Sequence, residues 1–413
     1  MKKIVCAVLL STLLAVPGNA QELQGSSGQF KASFKHEFDV GSGGTLEIDK
    51  VAADIQVSGW DQDNVEIHHD LTIRSFTKAE AKEIYRRAEN SVAKRGKTIH
   101  IEGDYNGNRV HSIFRINVPE KFNLEIHNSG GDISLSDVIG EIQSETSGGD
   151  IDIENTAGRT NLNTSGGDIS VVNVSGDVSG STSGGDIKLE DILGRAHFRT
   201  SGGDITLDHA TNDISLKTSG GDVTAKRVEG RLGANTSGGD IVVYDCIGEC
   251  SVNTSGGDVR LEGIKSKIHA ATSGGDITGS DFDARVSART SGGDIHFTDV
   301  RAGVDAQTSG GKVDVEITLK DFSKDHAVEL GSTGGTIRLT LPEKLPATIE
   351  AQIRTSRHDY QTERYDIYSD FPLTKSEPEK FGDVVIKSTG DINGGGDPIR
   401  LETTSGDIYI KKK

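Results

Sequence analysis

The chain has 413 residues, 52 of them glycine, with an aromatic content of 5% and a formal net charge of −18. So few aromatic side chains exclude a wide aromatic core and leave a narrow interior of Ile, Val, Leu and Ala. The acidic balance repels nucleic acid and anionic lipid, so no nucleic-acid partner is expected.

Residues 1–20 read as a signal peptide. Lys2 and Lys3 are the basic start, Ile4 to Val16 the apolar run, and Gly18-Asn19-Ala20 the small-residue cleavage site. Beyond it no apolar stretch approaches the roughly 17–25 residues of a membrane span, so the mature chain is expected to hold no transmembrane segment. Cys6 leaves with the leader. Cys246 and Cys250 remain, too few for a disulfide scaffold.

Residues 21–128 read as N-terminal strands and a capping helix. "TLEI", "ADIQV" and "NVEI" set Leu46, Ile55 and Val65 nine and ten apart, which starts coils near residue 44. "TKAEAKEIYRRAENSVA" is the helix: Thr77 and Glu80 form a capping box, and Ile84, Ala88 and Val92 share a face. It is expected to cover an open end of the strand stack. "TIHIEGD" and "IFRINVPEKFNLEI" return to strands.

Residues 129–318 are a strict repeat. Ser129, Ser147, Ser165, Ser183, Ser201, Ser219, Ser237, Ser255, Ser273, Ser291 and Ser309 follow one another at steps of 18, with no insertion. Thr precedes nearly every Ser, two Gly follow, then Asp132 to Asp294 in ten copies, then Ile or Val. Apolar residues two apart (Ile151 and Ile153, Ile187 and Leu189) mark a strand with one buried face. A second strand follows nine residues later, with Ile142, Val178, Ile214 and Leu232 in its first column. Between them stands a further apolar column, Val138, Val174, Ile192, Val228 and Cys246.

One such unit cannot bury its own face, whereas stacked copies can. The reading is an all-β parallel β-solenoid, 18 residues and two strands per coil, right-handed by default, with one N-terminal helix. Ser-Gly-Gly is a corner whose glycines escape the Cβ penalty. Gly140, Gly158, Gly194, Asn212 and Gly230 mark the other corner, where positive φ is expected. The Thr column points inward, its hydroxyl bonding a neighbouring backbone. Cys246 and Cys250 fall in inward columns, which favours packed thiols over a single bridge.

Residues 319–413 carry irregular coils. "STGGTIRLTLPEKLPATIEAQI" is a longer coil, and residues 355 to 382 are a polar loop with Tyr360, Tyr365 and Tyr368. "VVIKSTGDINGGGDPIRLETTSGDIYI" is expected to close the solenoid, with Lys411 to Lys413 as a solvated tail.

Three stretches, "LEIDKVAADIQVSGWDQDNVEI", "INVPEKFNLEIHNSGGDISL" and "TTSGDIYI", resemble the bacterial β-strand-repeat proteins labelled "putative adhesin", a family of unknown function. The resemblance covers roughly residues 40 to 410. It implies an envelope or extracellular parallel β-solenoid and transfers no catalytic residue.

The ten-Asp column is the strongest chemical feature. Carboxylates stacked ~5 Å apart in water repel by roughly 0.8 kcal/mol per pair, so something offsets the repulsion. Bonds from turn amides are the favoured reading; a cation edge along Asp150, Asp168, Asp186, Asp204, Asp222 and Asp240 is the alternative. The calcium β-roll repeat needs a G-x-D element that is missing here, and calcium wants about six to eight oxygens. His68 and His69 point to opposite faces of a strand and so make no joint metal site. Tyr360, Tyr365, Tyr368 and Phe371 form a candidate partner-binding loop, or else a cover over the last coils. No H-E-x-x-H, P-loop or G-x-S-x-G occurs. The expectation is therefore a non-catalytic, exported repeat protein without cofactor, whose partner is a protein or glycan at the cell envelope. A carbohydrate-active solenoid and a calcium-stabilised β-roll are the alternatives.

Overall fold

A computed structural model describes residues 22–26, 28–103, 109–356, 358–359, 365–376 and 384–413. The leader, Cys6 and Tyr360 lie outside the described residues. The chain forms two compact units that divide between Thr182 and Ser183.

Both units are built from parallel coils. In sheet A of the first unit Ile133 pairs with Ile151 and Ile151 with Ile169. In the second unit Ile205, Val223, Ile241, Val259, Ile277, Ile295 and Val313 pair in succession. Sheet B carries the other strand of each coil, as in the succession Ile214, Leu232, Cys250, Ile268 and Val286. Every partner is 18 residues away, as the repeat requires. Strand Ile241–Cys246 shows the alternation: Ile241, Val243 and Cys246 are buried, while Val242 and Tyr244 are not. Each fully buried Ile, Val or Leu contributes about 1.5–3 kcal/mol, and only register keeps those columns inside.

The corners depart from expectation. Among the Gly residues expected to take positive φ, Gly158 does so at 115°, whereas Gly140 and Gly230 lie outside that range. The left-handed residues sit just before the buried corner column instead: Asp137, Asn155 and Asn173 in the first unit, then Asp191, His209, Arg227, Asp245, Gly263, Asp281 and Asp299 in the second. Most are Asp, Asn or Gly, the types that tolerate this conformation. Of the Ser-Gly-Gly corners the first takes positive φ, at Gly131 (102°); Gly203 and its counterparts such as Gly149, Gly221 and Gly239 do not. This second Gly is required by close approach, because a Cβ on Gly203 would lie 2.1 Å from the Gly185 carbonyl oxygen; on Gly202 the nearest atom is 3.5 Å away.

Both ends break chain order. In sheet A, strand Asp54–Trp60 lies between Ile133–Ser136 and Val110–Pro119, parallel to both. In sheet B, Gly44–Ala52 lies between Phe122–Gly130 and Thr98–Glu102. The chain thus lays down one coil, leaves to build a second outside it, and returns on the inner side. Antiparallel strands finish the stack: Asn64–Ile73 and Gln29–Asp39 in sheet A, Val92–Arg95 in sheet B. Helix Lys78–Glu89 connects the sheets and packs Ala81, Ala88, Ile84 and Tyr85 on Phe30, Phe34, Leu71 and Ile73. Val92 belongs to the next strand and not to the helix. The Thr77 hydroxyl accepts from Glu80 N, but the Glu80 carboxylate takes the Ser75 hydroxyl at 2.7 Å, so the capping box has one arm.

At the C-terminal end, strands Asp397–Thr403 and Ile408–Lys412 do not close the stack. Asp397–Thr403 inserts between Val328–Ser332 and Ala347–Thr355. Ile408–Lys412 inserts between Ile337–Leu341 and Ile367–Ser369. The three terminal lysines are no solvated tail: Lys411 and Lys412 are strand residues, Lys411 pairs with Asp370 at 3.3 Å, and Lys413 pairs with Glu316. Antiparallel pairing of Ala347–Thr355 with Val384–Ile392 ends parallel growth in sheet B.

Candidate functional site

The repeated polar residues come first, because they are the ones the sequence singles out. At the Ser-Gly-Gly-Asp corners within each unit the Asp Oδ1 accepts the backbone N–H of the residue one coil on. In the first unit Asp150 N donates to Asp132 at 3.0 Å and Asp168 N to Asp150 at 2.8 Å. In the second unit Asp222 and Asp240 amides donate to Asp204 and Asp222 at 2.7 Å, and Lys312 N ends the series on Asp294 at 2.7 Å. These charge-assisted bonds offset the carboxylate repulsion. The Thr hydroxyl joins the same corner: Thr236 Oγ1 donates to Gly221 O at 2.8 Å and accepts Gly239 N at 3.3 Å. Among the described residues no three His, Cys, Asp or Glu side chains converge as a metal site would require.

His68 and His69 lie on opposite faces. His68 bonds Glu66 at the surface at 2.8 Å. His69 is buried, bonds the Ser112 hydroxyl at 2.8 Å, and stacks on Phe114 with centroids 4.0 Å apart. Burial pushes its pKa down to about 3, with His36 adding to the effect and Asp70 opposing it. Cys246 and Cys250 are buried thiols inside the second unit. Phe371 is buried beneath the Lys412 ammonium, and Tyr365 is half-buried.

Tyr368 is exposed and stacks on Tyr409, with centroids 5.0 Å apart and planes 12° apart. The Arg338 guanidinium lies 5.7 Å over the other ring, Tyr409. These three face outward in successive strands of sheet A, so insertion of the last strand builds the stack. Arg338 and Tyr409 were not singled out by the sequence, since they are 71 residues apart and share no repeat position.

The left-handed corner carries a second surface. His209, Arg227, Asp245 and Gly263 form one wall of a trough of about 460 Å³, and Glu229, Ile247 and Lys265 the other. His209 Nδ1 meets Asp191 at 2.6 Å and Arg227 meets Asp208 at 2.8 Å. Next to it Arg301 gathers Asp281, Asp283 and Asp299. Hydrogen bonds from Lys265 and then Arg301 hold Asp281 below the usual carboxylate range. A column of Asp and Asn at period 18 was the available signal for this corner.

No curated protein matches the chain. Two solved structures resemble it. A "putative adhesin" from Bacteroides fragilis is 12% identical, with 67% of this chain and 96% of that chain covered and a TM-score of 0.22. A "putative cell adhesion protein" from Clostridium sporogenes is 10% identical, with 92% and 99% covered and a TM-score of 0.14. These values are too low to assign residues by analogy. The Toastrack DUF4097 family matches residues 43–229 and 197–368, most of the length over which the parallel coils run. The chain belongs to the Toastrack DUF4097 family.

Proposed function

We propose that the protein is a non-catalytic, exported repeat protein that presents its outward strand faces for adhesion or cell-envelope interaction. One observation carries this reading. The recurring carboxylates and hydroxyls are committed to the backbone of neighbouring coils, as with Asp222 accepting Asp240 N of the next coil at 2.7 Å and Thr236 donating to Gly221 O of the preceding one at 2.8 Å. Their chemistry is spent on stacking. What differs from coil to coil is the outward set, which includes the Arg338–Tyr409–Tyr368 stack. Exposed aromatic rings with a flanking guanidinium suit protein or glycan contacts.

The test is capture from envelope fractions and a broad glycan panel with the full chain and with a Tyr368→Ala, Tyr409→Ala variant. The reading expects retention of at least one class by the parent and weaker retention by the variant. Absence of binding across the panel contradicts adhesion. Breakdown of any polysaccharide by the purified chain contradicts the non-catalytic assignment.

A further inference from the structure

Cys246 and Cys250 are the cysteines of the described residues, and both sit at one corner of one coil. Cys246 ends strand Ile241–Cys246 and Cys250 opens strand Cys250–Asn253. In the flanking coils the same two inward positions hold Val228 with Leu232 and Ile264 with Ile268. Hydrocarbon therefore suffices for packing there. Only this coil places sulfur at both positions. The two thiols are neighbours, the Cys250 side chain being the main cause that holds the Cys246 thiol below its usual range, and Cys246 Sγ donates to Gly248 O at 3.3 Å. The thiols are 0% and 1% exposed, yet the corner over them is at the surface, with Ile247 58% exposed.

We propose that Cys246 and Cys250 are a disulfide-forming pair that staples the Ile247–Gly248–Glu249 corner, one wall of the trough described above. The route is thiol–disulfide exchange with a low-molecular-weight disulfide such as oxidised glutathione. One cysteine sulfur attacks as thiolate, and one glutathione leaves as a thiol. The second cysteine sulfur then attacks the mixed disulfide and releases the second glutathione. One Sγ–Sγ bond forms, the cysteines lose two electrons and two protons, and the glutathione disulfide gains both. Exchange takes place while the corner is open, during folding or local fraying, and the closed corner then shields the product. The proposal stands apart from the adhesion reading and from export.

The experiment equilibrates the full chain, folded and in denaturant, across ratios of reduced to oxidised glutathione. Remaining thiols are blocked by alkylation, and intact mass reads the oxidised form as a loss of about 2 Da relative to the dithiol. The folded chain is expected to favour the disulfide by about tenfold or more over the denatured chain, with a higher urea midpoint for the oxidised protein. The Cys246→Val, Cys250→Val variant puts hydrocarbon at both positions, as the flanking coils do. It should fold, with a midpoint indifferent to glutathione. A folded chain that favours the disulfide no more than the denatured chain overturns the proposal, because the corner then holds the sulfurs as packed thiols. A variant midpoint that still follows glutathione overturns it as well.

Discussion

At the residue scale the corner glycines are unequal, although the sequence writes them as a pair. A methyl on Gly203 would collide with the Gly185 carbonyl at 2.1 Å, and neither backbone can retreat without breaking the ladder; Gly202 has 3.5 Å of clearance. Gly203→Ala is expected to cost about 2–4 kcal/mol, and Gly202→Ala about 0.5 kcal/mol or less, read from urea midpoints. Equal costs would contradict the close approach. His69 supplies a pH signature. Its native pKa near 3 lies below the ordinary value of 6.5 because the ring is buried, with His36 beside it and Asp70 opposing. The unfolded chain therefore binds the extra proton between those values. The stabilisation is fully present above pH 6.5 and is lost as pH falls, at roughly 1.4 kcal/mol per pH unit. Burial lowers His36 in the same direction. Urea titrations at pH 7 and 5 should show the loss, and His69→Gln should flatten it; an unchanged slope would mean the imidazole is not buried in the neutral form.

At the scale of elements, register is the determinant. Excising residues 237–254 removes one full repeat and joins Thr236 to Ser255, so every inward column stays inward. Excising residues 237–253 leaves one extra residue in the corner where glycine backbones touch. Circular dichroism and urea unfolding should show a cooperative fold for the first deletion and a much lower midpoint for the second. The same logic explains what was legible in the sequence. The coils between Ile133 and Thr308 could be read residue by residue because period 18 fixes both partner and face. The ends could not be. Strands Gly44–Ala52 and Asp397–Thr403 alternate like any others, and alternation names the buried face but not the neighbour. Their insertion between earlier strands is a non-local choice. The candidate surfaces follow suit. The Asp ladder was legible as a column, whereas the Arg338–Tyr409–Tyr368 stack exists only because the last strand inserts. The left-handed column mixes Asp and Asn with His209, Arg227 and Gly263, so it carries no single signature, unlike the glycines that follow it.

At the scale of the whole molecule, a net charge of −18 and a ladder of Asp residues invite a calcium account. The ladder bonds oppose it, since one oxygen of the carboxylates along each unit's ladder already accepts an amide, as Asp258 does from Asp276 at 2.7 Å. Thermal midpoints with millimolar calcium and with excess chelator should therefore agree within about 1 °C, under the roughly 2–4 °C that 1 kcal/mol produces in a long chain. A chelator-induced drop of 10 °C or more would reinstate the cations. The most direct test of the stacked-coil register is a cross-link. Thr206 and Thr224 are register partners on the outer face of sheet A, while Lys226 lies two residues along the same strand. In the Cys246→Val, Cys250→Val background, Thr206→Cys with Thr224→Cys should oxidise to an intramolecular disulfide readily, and Thr206→Cys with Lys226→Cys should do so slowly or not at all. Equal yields from the two pairs, or none from the first, would contradict the 18-residue stack.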